Sequence, residues 1–295
     1  MHIDATTLDD TGKVTLDHLY VQDDPRPYFR ALQDLDYRIP HLAKPHFARL
    51  VREYRAATGV ERPTVVDVGC SYGVNALLLR ADASMADLFR RYTGPGADRL
   101  TRDELLVRDR ALVRTMAPGA AGPVRFVGFD SSAPALAYAR DAGLLDDAVH
   151  ADLEDDPAGY GPGGSGDFGP AGGRLAPLAG ADLVVSTGCI GYVGAATVRS
   201  IAVAAGPRRP WMAHFVLRMF PYRPVADSLR PLGYETLHVD GLFKQRRFAS
   251  PGERSRVLER LAAHGIDPEG READGWLYAQ LHLSRPTSPR PEAPR

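Results

Sequence analysis

Short apolar runs, rich in β-branched residues, alternate along residues 61–284 with stretches whose apolar side chains recur at helical spacing. The runs span 64–68, 124–129, 148–151, 182–186, 212–217, 235–239 and 276–283. The first five are separated by helical patterns, which is the signature of βαβ units and a largely parallel sheet. The last two flank one helical pattern at 251–264. An extra segment at about 82–121 carries two more helical patterns, 83–92 and 102–116, and reads as an insertion in the α/β repeat. No internal repeat is evident.

The flanks differ from this core. Residues 1–60 are rich in aromatics and histidine and end in a helical pattern, with Phe47, Leu50, Val51 and Tyr54 at helical spacing. This segment is expected to form an N-terminal helical cap. Tyr20, Tyr28 and Phe29 either pack on the sheet edge or close over a site as a lid. The Gly- and Pro-crowded stretch 157–180 reads as a loop. The Pro-rich 285–295 reads as a disordered tail.

Chemistry concentrates first at 64–79, Thr-Val-Val-Asp-Val-Gly-Cys-Ser-Tyr-Gly-Val-Asn-Ala-Leu-Leu-Leu. A buried strand runs into a turn carrying Gly69 and Gly73, then into an apolar helix. Glycines there let the backbone approach a ligand and the helix pack close to the sheet. The spacing from Asp67 is Asp-x-Gly-x-x-x-Gly rather than Gly-x-Gly-x-x-Gly, so it suits a dinucleotide's pyrophosphate poorly. Asp67, at the strand end, suits a cationic amino group better.

This stretch resembles the first motif of the class I methyltransferases that use S-adenosylmethionine (SAM). The resemblance continues over about residues 61–220. Val127-Gly-Phe-Asp-Ser131 resembles the acidic end of that family's second strand. The resemblance implies that Asp130 accepts hydrogen bonds from both ribose hydroxyls, with Ser131 beside it. His150-Ala-Asp-Leu-Glu154 resembles the segment after the third strand, which implies that Asp152 and Leu153 meet the adenine. Asp182-Leu-Val-Val-Ser-Thr-Gly188 resembles the fourth strand and its turn, bringing Ser186 and Thr187 to the cofactor, while 212–217 reads as the fifth. Asp67, Gly69, Cys70, Ser71 and Gly73 complete the implied cofactor set. The family usually has glycine where this chain has Ser71, which makes for a tighter turn or a hydroxyl that reaches the SAM carboxylate.

The implied fold is α/β and Rossmann-like, a seven-stranded, mostly parallel sheet with its last strand antiparallel and helices on both faces. Residues 61–284 would form the SAM-binding domain. Asp130 follows Gly73 by 57 residues, against about 20 in the dinucleotide pattern. The insertion at 82–121 accounts for the difference. Local alternatives remain: Asp130 would also cap the helix that follows, and Asp152 would also serve as a solvated acid.

Composition narrows the partners. Thirty-six Lys and Arg against 37 Asp and Glu leave the chain near neutrality, without the basic excess that a nucleic-acid backbone calls for. Cys70 and Cys189 are too few and too far apart for a zinc site or a disulfide framework, so they read as packing residues and no metal is expected. No apolar run approaches the roughly 20 residues of a membrane helix, and residues 1–10 lack a secretory pattern. The expectation is a cytoplasmic enzyme acting on a small molecule, with no nucleic-acid or membrane partner.

Candidates for the chemistry are Tyr72 and Asn75, which share a helix face, together with Tyr192 and His214. Two of them also have a plain structural reading: Asn75 satisfying a neighbouring backbone group, His214 filling a buried strand. The run 244–247 reads as a solvated or edge-protecting basic face. No carboxylate follows the fourth strand, which argues against nucleic-acid base amino groups as acceptors. The leading expectation is methyl transfer from SAM to a small molecule. An alternative is a methyltransferase-like cyclase that converts SAM itself to azetidine-2-carboxylate and methylthioadenosine. A SAM-binding scaffold without turnover is a third class, and a nicotinamide-dependent dehydrogenase is disfavoured by the glycine spacing.

Overall fold

Apolar, β-branched runs form strands where helices cover both faces. The computed structural model, which describes residues 7–115, 119–151 and 175–287, has a strand at each of the seven expected runs. These are β1 (Thr64–Val68), β2 (Arg125–Asp130), β3 (Asp147–His150), β4 (Leu183–Thr187), β5 (Trp211–Leu217), β6 (Tyr234–Arg247) and β7 (Trp276–Pro286). They form one sheet in the order β3-β2-β1-β4-β5-β7-β6. β1 to β5 pair in parallel, and β7 runs antiparallel between β5 and β6. The fold is therefore the Rossmann-like α/β architecture that the resemblance implied.

Alternation along the strands sorts apolar residues into two cores. Val65, Phe126, Leu183 and Phe215 join one; Val66, Val127, Val184 and Val216 join the other. The first is covered by α3 (Ile39–Thr58), α4 (Val74–Arg80), α7 (Ala133–Asp141) and α10 (Pro251–Ala263). The second is covered by α8 (Ala195–Ala204) and α9 (Arg223–Leu229). α3 lies on β4, β5, β6 and α4, so residues 39–58 belong to the α/β layer rather than to the cap. The capping part is shorter, built from α1 (Asp17–Tyr20), α2 (Arg26–Asp34) and the turn before them.

The insertion forms α5 (Met85–Thr93) and α6 (Arg102–Thr115). Its α5 packs against α2 of the cap. Phe29 of α2 stacks on Tyr92 of α5, with centroids 4.4 Å apart and planes within 8°. Tyr92 donates to buried Asp109, which also accepts from Tyr138 of α7, both at 2.7 Å.

Two boundaries depart from expectation. β6 runs on to Arg247, past 239, by way of register shifts at Val239/Phe243 and Lys244/Arg246. Arg285 and Pro286, expected in a disordered tail, close β7 against Glu235 and Tyr234. The Arg285 guanidinium packs 4.2 Å from the Trp211 ring centroid and pairs with Glu53 at 2.5 Å, which fixes the strand end. Residues 288–295 and 152–174, the latter including most of the loop expected at 157–180, lie outside the described residues. No described helix is long and apolar enough to cross a membrane.

Candidate functional site

The strand order reverses between β1 and β4, and open α/β sheets bind ligands outside the carboxyl ends of the strands at such a point. A cavity of about 520 Å³ lies there, floored by the β1, β2 and β4 turns and roofed by the cap.

The β1 turn is made of left-handed residues: Gly69, Ser71 and Gly73 have φ of 69°, 49° and 76°. A Cβ on Gly69 would stand 2.7 Å from the Cys189 Cβ, so only glycine fits between the two turns. On Gly73 it would crowd Leu144 and Ala139 at 3.2 and 3.3 Å, which is how α4 comes close to α7. Ser71 takes a conformation that favours glycine, at the position where the resemblance led one to expect it. Its N–H donates to Asp130 Oδ2 at 2.8 Å, while its hydroxyl, buried, has no partner among the described residues. Gly69 and Ser71 both line the cavity.

Asp130 ends β2 on the cavity wall, with Phe129, Ser131 and Ser132 beside it. Its other oxygen accepts the Ser132 N–H at 2.8 Å. Burial pushes its carboxyl up, against the pull of the Ser71, Ser132 and Ser131 N–H groups. Helix capping falls instead to Ser132, whose side chain accepts from the Ala135 N–H. Ala151 after β3 and Thr187 at the end of β4 extend the wall. Asp152 and Leu153 lie outside the described residues.

The roof is stitched to the floor by polar contacts. Tyr72 donates to the Leu19 and Gln22 carbonyls at 3.0 and 2.8 Å, and the Ser132 hydroxyl donates to the Tyr20 carbonyl. Tyr192 donates to Asp9 Oδ2 at 2.7 Å, while Val14 N–H donates to Glu253 of α10. Tyr20, Tyr28 and Tyr37 line the roof. Burial holds their hydroxyls protonated, with Tyr20 raised to about 12 and the other two raised also. They therefore present neutral rings and neutral O–H groups, not bases.

Several expected site residues lie elsewhere, and each has a packing reason. His214 is fully buried on β5, where its Nδ1 hydrogen-bonds the Ser186 hydroxyl at 2.7 Å across the β4–β5 register. Burial lowers its pKa to about 3, so the ring is neutral. Neither His214 nor Ser186 lines the cavity. Tyr72 spends its hydroxyl on the cap, Cys70 packs beneath Gly128, and Phe29 is a core residue on Tyr92 rather than a lid. Asp67 and Asn75 lie under the floor. Asn75 donates to Asp67 Oδ1 at 3.0 Å and to Thr187 Oγ1 at 3.1 Å. Asp67 Oδ2 has no hydrogen-bond partner among the described residues, and burial raises its carboxyl to about 7.

Other lining residues were not among the expected site residues: Asp9, Lys13, Tyr37, Gln245 and Arg246. Gln245 and Arg246 are 4% and 3% exposed, although 244–247 read as a solvated basic face. A register shift between Lys244 and Arg246 breaks the strand alternation and turns both residues inward. Arg246 then makes a two-pronged pair with Glu253, at 2.9 and 2.6 Å. The one available sequence signal was the helix start at Ser250, whose side chain accepts from the Glu253 N–H and so fixes the carboxylate on the first turn.

No family model matches the sequence, and no curated protein matches it. Solved structures do show likenesses. The [4+2]-cyclase SpnF aligns over 82% of this chain and 81% of its own, at 16% identity and a TM-score of 0.38. The plantazolicin methyltransferase BamL aligns over 84% and 86%, at 11% identity and a TM-score of 0.40. A TehB-like SAM-dependent methyltransferase from Corynebacterium glutamicum aligns over 82% and 97%, at 13% identity and 0.35. These likenesses are too loose to bear on the site, whose chemistry rests on its own residues.

Proposed function

We propose that the chain is a SAM-dependent enzyme that transfers the methyl group to a compact small-molecule nucleophile inside this cavity. The observation that carries the reading is Asp130. Its carboxylate stands on the cavity wall at the end of β2, beside a left-handed glycine turn. Its oxygens accept the Ser71 and Ser132 N–H groups, and a carboxylate has further lone pairs for ribose hydroxyls. Ser131 and Ala151 would border the adenine, Gly69 and Ser71 the methionine portion. The buried, unpartnered oxygen of Asp67 beneath them suits the electrostatics of a cationic amine. Neutral tyrosine faces at 20, 28 and 37 attract a sulfonium.

SAM supplies a carbon already activated by the sulfonium, so the protein's work is orientation and exclusion of water. The roofed cavity performs both. No base is required for a nucleophile that is unprotonated at neutral pH.

A second reading has one observation in its favour. At about 520 Å³ the cavity is no larger than a single ligand fills, such sites spanning roughly 300–1,000 Å³. A nucleophile carried by SAM itself needs no further room. Its α-amino nitrogen would attack its γ-carbon, the γ-carbon–sulfur bond would break, and a proton would leave the nitrogen. The products would be azetidine-2-carboxylate and methylthioadenosine. Incubation with SAM alone separates the two reactions. Methylthioadenosine with the azetidine product favours cyclisation, and S-adenosylhomocysteine formed only with an added acceptor favours methyl transfer. Failure to bind SAM would refute both.

A further inference from the structure

Lys13 is 7% exposed, yet it lines the cavity. It sits in the N-terminal turn closed by the Leu8–Val14 bridge. Its ammonium lies 4.7 Å from the centroid of the Tyr192 ring. A cation withdrawn from water is costly unless an anion meets it. Among the described residues no carboxylate lies within ion-pair distance of it.

The groups around Lys13 are already committed. Glu253 accepts from both Arg246 nitrogens and from the Val14 and Ala249 N–H groups. Asp9 accepts from the Thr11 N–H and hydroxyl, the Lys13 N–H and Tyr192. Burial lowers the Lys13 ammonium to about 8, and Arg246 adds to the effect while Glu253, Asp9 and Cys189 oppose it. The remaining neighbour, the Tyr192 hydroxyl, is kept protonated by burial.

The geometry points to Lys13 as the anion-receiving group of the cavity, pairing with a carboxylate on the small molecule bound there. This rests on the SAM reading for its setting. The carboxylate has two possible sources, the α-carboxylate of SAM or that of an acceptor. Pairing would raise Lys13 above its free value. Its contribution to affinity is therefore full below a pH of about 8 and fades as pH climbs toward the raised value.

The test compares the wild-type chain with Lys13→Met and Lys13→Arg by calorimetry, using SAM and decarboxylated SAM. If SAM supplies the anion, Lys13→Met weakens SAM about tenfold or more and leaves decarboxylated SAM unchanged. Lys13→Arg then recovers most of the loss, and the alkaline fall in SAM affinity flattens in Lys13→Met. If the acceptor supplies it, all three proteins bind SAM alike. Acetate, glycine or benzoate then raises the melting temperature of the wild-type chain, with or without S-adenosylhomocysteine, but not that of Lys13→Met. The inference is overturned if Lys13→Met matches wild type with SAM and with every carboxylate. Should the wild-type chain bind no SAM, the cofactor reading fails, while the carboxylate arm still decides the role of Lys13. Equal binding of decarboxylated SAM by both proteins shows that the variant is folded.

Discussion

Replacing Glu253 with alanine probes the joint that holds roof and floor together. Glu253 is fully buried, and its two oxygens take four donors: two from Arg246, one each from Val14 and Ala249. Removing it leaves a buried guanidinium without its counter-charge, which costs about 3–5 kcal/mol. Two orphaned N–H groups, each worth about 1–3 kcal/mol if unsolvated, push toward the upper end. Urea unfolding with linear extrapolation reads this directly. The double replacement Arg246→Met with Glu253→Leu should cost less than Glu253→Ala alone, because it buries no unpaired charge. The pair's donors hold the Glu253 carboxyl below its ordinary 4.5 although burial opposes them. Its contribution is thus present above a pH of about 4.5 and is lost as pH falls through the lowered value, so Glu253→Gln should flatten that acid limb. Val14 and Arg246 both line the cavity, so SAM affinity should fall with stability. A loss below about 1 kcal/mol, typical of an exposed pair, would refute the reasoning.

Asp130→Ala should weaken SAM binding by about 1–3 kcal/mol, measured by calorimetry on protein whose melting curve shows it folded; unchanged affinity discredits the ribose role. Gly69→Val should abolish SAM binding, because its Cβ would meet Cys189 at 2.7 Å in a left-handed turn, and normal binding in that variant would place the ligand elsewhere. Phe29→Ala should cost about 3–5 kcal/mol by emptying the stack on Tyr92. A loss below 1 kcal/mol in urea unfolding would show that the insertion does not brace the cap.

The parallel core was legible because strands buried on both faces leave uninterrupted apolar runs, as at Val65–Val66 and Val184–Val185. The turn at 69–73 was legible because positive φ leaves its mark as glycine, except at Ser71. The roof was not, since burial of a charge depends on packing partners and strand irregularities that residue spacing does not reveal. Lys13 and Arg246 look like surface residues until Glu253 and a strand irregularity bring them inward. His214 erred the other way. A polar residue on a strand can face a ligand or a neighbouring strand, and only the β4–β5 register shows that it faces Ser186. The cap's true extent was hidden too, because the helical spacing at 46–55 does not reveal that α3 lies on the sheet.

The account turns on where a bound nucleoside sits, and crystals soaked with S-adenosylhomocysteine would measure it. The expected map shows both ribose hydroxyls on the Asp130 carboxylate, the thioether beneath Tyr20, Tyr28 and Tyr37, and the amino-acid end over the Gly69–Ser71 turn. Density for the nucleoside outside this cavity, or an empty cavity at saturating ligand, would contradict it.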